Sequence, residues 1–361
     1  EPTLDAITAC IVHSDLPQTG SFECSSPMIN QIWRNILWGQ RGNFLSIPTD
    51  CPQRDERLGW TGDAQIFAQT ACLNMDAGAF LEKWLVDLSD AQSAEGGFPD
   101  VAPRLVVLKD GAPAWGDAGI IVPWVLYQMY GDAAIIQRYY DAMSRWMTYI
   151  HQANPHLLRT KRLNNNYGDW VSFDNATSKE LLATAYWAYM ASLMAQMAKV
   201  IDRDDEAGEY QELFERIKVA FNTAYVYPDG RIEGETQTAY VLALYMDLLP
   251  SHLRATAADH LVQDIKRRDW HLSTGFIGTT YLCPVLTDAG YSEVAYRLLN
   301  SETCPSWGHM VRHGATTIWE RWNSWTEKHG LYEPRMNSFN HYAFGTVGEW
   351  LYRYVGGLNT A

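Results

Sequence analysis

Apolar residues recur along most of this chain at spacings of three and four. After Ser25-Ser26-Pro27 they fall at Ile29, Ile32, Trp33, Ile36 and Leu37, one stripe of a helix with a capping serine and a proline at its start. The same spacing predicts helices over about 61–75, 76–92, 117–130, 133–153, 178–202, 204–225, 236–249, 254–268, 276–299 and 342–354. Turn formers punctuate them at Gly96-Gly97, Gly111, Gly131-Asp132, Asn154-Pro155, Asp229-Gly230, Pro250-Ser251 and Asp288-Ala289-Gly290. One segment breaks the rhythm. Residues Ile7 to Ser14 are rich in β-branched side chains and read as a strand, expected to be the tail of a preceding β-domain, so that 1–14 is a tail or linker and 15–361 the main domain.

The connections alternate between short and long. The long ones, near 44–60, 95–116, 155–177, 226–235, 269–275 and 300–341, are polar but dotted with aromatic residues, which suits function better than disorder. No low-complexity linker or sustained charge run divides the chain. The pattern predicts an all-α fold of antiparallel helical hairpins. Closed into a ring with the long connections at one end, such hairpins make an (α/α) barrel with a pocket.

Composition narrows the chemistry. The 28 Lys+Arg against 42 Asp+Glu leave a formal charge of −14, which repels phosphate backbones and makes nucleic acid an unsuitable partner. The longest strongly apolar run, Ile120 to Leu126, is too short to span a membrane. The 15 Trp and 20 Tyr offer flat apolar faces with polar edges, a combination that suits sugars. The six cysteines form no CxxC pair or zinc spacing, so neither metal nor cofactor is expected, and most read as buried thiols. The compartment, secreted, periplasmic or cytoplasmic, stays open. Asn175-Ala176-Thr177 is a lone sequon, Asp202 to Glu206 reads as a helix start rather than a calcium loop, and Met190, Met194 and Met197 as core.

The densest chemistry lies in Ile47 to Gln65, where Asp50, Arg54, Asp55, Glu56, Arg57, Trp60 and Asp63 crowd a stretch broken by Pro48, Pro52, Gly59 and Gly62. Thr61 is expected to cap the following helix, with Asp63 in its first turn. A carboxyl buried beside other carboxyls gains a raised pKa and becomes a proton donor near neutral pH.

Ile47 to Gln65 resembles the signature of the bacterial and fungal α-L-rhamnosidases of glycoside hydrolase family 78. Gly20 to Ser26, Ala114-Trp115-Gly116-Asp117-Ala118, Gly168-Asp169-Trp170, Thr316 to Trp322 and Asn340-His341-Tyr342 fit the same family, and the resemblance covers about 14–361. It implies an (α/α)6 barrel of six hairpins and an inverting hydrolase acting on rhamnose-containing glycosides. It implies Glu56 as general acid and Glu320 as general base, with Asp50, Arg54, Trp60, Asp63 and His341 around the sugar. Asp50, Asp55 and Asp63 are expected to raise the acid's pKa, and Arg54 to offset part of that. Trp115 and Trp170 are stacking candidates, and Trp322, with Trp319 and Trp325, is a candidate wall. Asp117 and Asp169 are hydroxyl acceptors or loop-fixing residues, and Arg321 is an ion-pair partner. The family usually carries β-sandwich domains around the barrel. Two alternatives stay open: the same barrel acting on another sugar, and a carbohydrate-binding barrel without catalysis.

Overall fold

The computed structural model describes residues 3, 6–106, 108–173 and 176–358. Its helices are α1 (Pro27–Asn43), α2 (Thr61–Asn74), α3 (Gly78–Asp90), α4 (Ala118–Tyr130), α5 (Ala133–Ala153) and α6 (Lys179–Val200). They continue with α7 (Asp204–Tyr225), α8 (Gln237–Tyr245), α9 (Ser251–Arg267), α10 (Phe276–Asp288), α11 (Ser292–Leu299), α12 (Trp307–Arg312) and α13 (Val347–Trp350). Contacts run α2–α4, α4–α6, α6–α8, α8–α10, α10–α13 and α13–α2, so six helices close an inner ring. Their hairpin mates lie outside them, which gives the expected (α/α)6 barrel.

Local chemistry explains which helix goes where. In α5, Ile135, Ile136, Tyr139, Tyr140, Met143, Trp146, Met147 and Ile150 are buried, while Gln137, Arg138, Asp141 and Arg145 face water. That one-sided stripe fits an outer helix. In α6, by contrast, nearly every residue from Leu181 to Ala198 is buried, as an inner helix packed on all sides requires. Met190, Met194 and Met197 are fully buried there. Ser26, Asp132, Ser178 and Thr236 accept hydrogen bonds from the first turns of α1, α5, α6 and α8. The acids Asp204, Asp205 and Glu206 fill the first turn of α7, as expected of a helix start.

Several expectations change. The predicted helix 276–299 breaks at Ala289–Tyr291 into α10 and α11, where Gly290 adopts φ +86°. The long connection 300–341 contains α12 and a small hairpin, Trp325–Thr326 paired with Gly330–Leu331. The last segment is 3-10 over Ala343–Thr346, α over Val347–Trp350 and π over Leu351–Val355. Thr61 does not cap α2: it is the first helical residue, and its hydroxyl donates to the Asp100 carbonyl at 3.0 Å. Residues 7–14 form no ladder, and Ile7, Ile11 and Val12 are exposed. A strand needs a neighbouring edge, and among the described residues only the Ser14 amide finds one nearby, at the Phe44 carbonyl. Asn175 of the sequon lies outside the described residues.

The long connections all precede inner helices, so the N-termini of the inner ring gather at one end. Asp117, expected at the site, does structural work there. It is fully buried, accepts from the Ala114 amide at 2.7 Å and the Trp146 indole at 3.0 Å, and pairs with fully buried Arg159 at 3.3 Å. Arg159 also donates to the Gly111 carbonyl at 3.0 Å, joining the 95–116 and 155–177 connections. Removing one member of such a pair strands the other charge in the core. Asp117→Ala should therefore cost about 3–5 kcal/mol. Urea midpoints of wild type and variant measure this, and a loss under about 1 kcal/mol would show that the pair stabilises nothing.

Candidate active site

A cavity of about 210 Å³ opens at the end of the barrel where the long connections meet. It is lined by Asp50, Arg54, Glu56, Trp60, Asp63, Trp115, Tyr167, Trp170, Phe276, Glu320, Met336 and His341. Four connections contribute to it, those before α2, α4 and α6 and the long one before α13, together with Asp63 in the first turn of α2 and Phe276 at the start of α10. The helical stripes keep each connection in place, and the polar residues between them turn inward.

Arg54 sits at the electrostatic centre. One guanidinium nitrogen donates to Glu320 at 3.1 Å, and the other contacts Glu56 and lies 3.8 Å from Asp50. Glu56 also accepts from the Trp60 indole at 2.7 Å, so both its oxygens have donors. The side chain of Glu320 is 2% exposed and that of Glu56 is 24% exposed, which sets Glu320 in the floor and Glu56 near the mouth. The Glu320 segment is fixed by its own amide, which donates to the Ser338 carbonyl at 2.9 Å, while Gln53 donates to the Ser338 hydroxyl at 2.7 Å. The first and last parts of the barrel are thus tied together beside the two carboxylates.

On the floor, His341 Nε2 meets Asp63 at 3.2 Å, and His341 Nδ1 accepts from the Ala343 amide at 3.3 Å. Burial alone would depress the His341 pKa, but the Asp63 bond and the charges of Asp63, Glu320 and Asp50 raise it above the usual histidine value. Asp50 accepts from the Leu58 amide at 2.9 Å and the Cys51 thiol at 2.8 Å. Burial pushes its carboxyl up to about 6, with His341 working against that shift and Glu56 adding to it. Asp55 leaves this group: its side chain is fully exposed and pairs with Arg57 at 3.6 Å.

Four rings form one wall. Tyr167 packs on Trp115 at 4.6 Å, on Trp60 at 5.5 Å and on Trp170 at 6.1 Å. Trp115 lies directly on Gly62, where an added Cβ would stand 2.5 Å from the indole. Any side chain at 62 would expel that ring from the wall. On the opposite side Phe276 packs on the His341 ring at 5.0 Å.

Two carboxylates spaced by a guanidinium, beside an aromatic wall and an Asp–His pair, can grip a polyol by its hydroxyls and its apolar face together. They can also move protons on opposite sides of a bound group. Ligand atoms of Asp50, Cys51 and Glu56 fall within 4.8 Å of one another. The Cys51 thiol, pushed far up by burial and by Asp50, donates to Asp50, and Arg54 and Trp60 occupy Glu56, so the trio is already engaged.

The structure brings together Asp50, Arg54, Glu56, Trp60, Asp63, Trp115, Trp170, Glu320 and His341. It does not bring Asp117, Asp169 or Trp322 to the cavity. Asp169 accepts from the Gly275, Ile277 and Gly278 amides and the Thr238 hydroxyl, holding the start of α10. Trp322 is core: its indole donates to the Thr274 carbonyl at 2.9 Å and stacks on Phe344 at 3.9 Å. Trp319 and Trp325 line a neighbouring cleft with His313 and Phe339. Arg321 lies over Tyr332 and donates to the Met336 carbonyl at 3.0 Å, and among the described residues it pairs with no acid. Tyr167, Phe276 and Met336 escaped the sequence reading. Only Tyr167 had a local signal, its place directly before Gly168-Asp169-Trp170.

Comparison with known proteins bears on the fold. The family model for the bacterial alpha-L-rhamnosidase 6 hairpin glycosidase domain matches residues 17–355. An alpha-L-rhamnosidase of Streptomyces avermitilis is 51% identical over 358 residues, covering 99% of this chain and 34% of that protein. One of Formosa agariphila is 39% identical over 366 residues, covering 99% of this chain and 39% of the other. The crystal structure of the Streptomyces avermitilis alpha-L-rhamnosidase complexed with L-rhamnose superposes with a TM-score of 0.93 at 52% identity, over 96% of this chain and 33% of that one. The chain thus spans about a third of the length of these relatives. With the ring of six hairpins, the acidic cavity and a match that runs almost end to end, this chain belongs to the bacterial α-L-rhamnosidase six-hairpin glycosidase family.

Proposed function

We propose that this chain is the catalytic barrel of an inverting α-L-rhamnosidase that releases terminal rhamnose from glycosides. The observation that carries the reading is Arg54, one side chain touching both Glu56 and Glu320. An inverting glycosidase needs an acid, a base and room for a water between them, with carboxyls about 6.5–9.5 Å apart. A guanidinium inserted between two carboxylates keeps them apart, and its width plus two hydrogen bonds limits the gap to on the order of 8 Å.

In this reading Glu56, near the mouth, protonates the leaving oxygen, and Glu320, in the floor, takes a proton from the attacking water. Before Glu56 can donate it must take up a proton, and Arg54 must release at least one of its two contacts. Asp50, Asp63 and His341 hold the sugar hydroxyls, and the Trp60, Trp115, Tyr167 and Trp170 wall covers its apolar face. The relatives' names and the rhamnose complex of the Streptomyces protein support rhamnose as the sugar. The domains that accompany the barrel in longer relatives would complete the binding site for the rest of the glycoside.

Two outcomes are expected. With p-nitrophenyl α-L-rhamnoside, Glu56→Gln and Glu320→Gln should each lower kcat by about 10²–10⁴-fold, and proton NMR of the wild-type reaction should show the β-anomer of rhamnose first. Initial release of the α-anomer, or variants as active as wild type, would overturn the assignment.

The second outcome follows from Asp50. Its carboxyl keeps its proton up to about 6 when folded, against 3.8 as the ordinary value. Between those values the folded chain binds more protons than the unfolded one, so stability falls as pH rises from about 4 to 6. At about 1.4 kcal/mol per unit the loss is at most about 3 kcal/mol. Above that range Asp50 is the ionised acceptor that sugar hydroxyls need. Asp50→Asn should remove this part of the pH dependence, seen as a smaller difference between urea midpoints at pH 4 and pH 7. An unchanged difference would show that Asp50 is not the titrating group.

A further inference from the structure

Asp100 does not line the cavity, yet it meets each segment that supplies the aromatic wall. It is 1% exposed. Its carboxylate accepts from the Tyr167 hydroxyl at 2.9 Å, from the Asn165 amide group at 3.0 Å and from the Ala112 backbone amide at 3.3 Å. Its own carbonyl accepts from the Thr61 amide at 2.9 Å, and the next residue, Val101, forms an antiparallel bridge with Trp60. One buried residue therefore registers three segments: its side chain ties the turn leading to Trp115 and the loop carrying Tyr167 and Trp170, and its backbone carbonyl ties the connection carrying Trp60.

Tyr167 is the ring through which this reaches the pocket. Among the described residues it is the one aromatic that touches all three tryptophans of the wall. Its hydroxyl is its only polar handle, and a buried phenol takes its orientation from the partner of that hydroxyl. Burial raises the hydroxyl's pKa further, so it remains a donor to Asp100.

We propose that Asp100 is a positioning residue for sugar binding. It acts through the Tyr167 hydroxyl to hold the four-ring wall against the apolar face of the sugar. This rests on the rhamnosidase reading above for the ligand, but the coupling between Asp100 and the wall does not. Because the wall contacts the sugar without moving a proton, its loosening should weaken ground and transition states alike, raising KM and sparing kcat.

The experiment is a double-mutant cycle of Tyr167→Phe, Asp100→Asn and the pair, assayed on p-nitrophenyl α-L-rhamnoside. Each single variant should raise KM about 3- to 10-fold with kcat within about two-fold of wild type. The double variant should be no worse than the weaker-binding single one, because both changes break the same contact. Tyr167→Phe keeps the ring and the buried volume, so it tests the proposal even if Asp100→Asn fails to fold. An unchanged KM in Tyr167→Phe, additive effects in the pair, or a fall in kcat at constant KM would each overturn it. A purely structural role would lower Tm without the KM-against-kcat split. If wild type turns over no rhamnoside, the functional reading fails by itself. Near-UV circular dichroism of the tryptophan cluster then decides: altered alike in both single variants and no further in the double supports the coupling, and an unaltered spectrum overturns it.

Discussion

The inner helices of this barrel all run the same way, and their N-termini converge on one end. Each brings unpaired backbone N–H groups and the positive end of a helix dipole. A closed ring of parallel inner helices therefore sums to a region that favours negative charge. The carboxylates follow from it: Asp63 lies in the first turn of α2, and Asp169 takes three amides at the start of α10. A pocket with Asp50, Glu56, Asp63 and Glu320 around a single arginine would otherwise carry heavy self-repulsion. The architecture supplies much of the compensation, and Arg54 and His341 supply the rest.

That compensation is uneven, and the unevenness divides the labour. Carboxylates that meet a full set of donors become structural: Asp117 with Arg159, Asp169 with backbone amides, Asp100 with three separate segments. Those left partly unmatched face the cavity. Asp50 is raised by burial and among the described residues has no cation closer than 3.8 Å, while Glu56 and Glu320 share one guanidinium. The acids that could act on a ligand are the ones the scaffold has not fully neutralised.

Much of the fold was legible because the helices follow a simple rule. Residues such as Ile135, Tyr139 and Met143 announce an outer helix by their spacing, and α6 announces an inner one by the near absence of polar residues. The α10–α11 break was marked by the turn formers Asp288-Ala289-Gly290 although the apolar spacing runs through it, whereas the 3-10, α and π sequence at 343–355 had no such mark, since apolar spacing does not distinguish those hydrogen-bond patterns. In the site, the crowding of acids and arginines in 50–63 stood out. Local context could not separate Asp63 from Asp117 or Asp169, because all three follow a glycine and differ only in distant partners. Trp322 misled for a similar reason. A string of tryptophans does not tell which ring faces the core, and Trp322 goes to Phe344 and Thr274. Tyr167 and Asp100 gain their importance from contacts between separate connections, which no short motif records.

The tie between the two ends of the barrel has a kinetic meaning. Arg54 reaches Glu320, and Gln53 reaches Ser338, across more than two hundred intervening residues that must first fold into hairpins. Each hairpin can form from local contacts, but the pair of carboxylates exists only once the last segment has docked against α2. During synthesis the growing chain therefore passes through a long series of partly built rings, none of which holds both groups. The pocket is complete only on closure of the circle, so its appearance doubles as a report that assembly of the ring is complete.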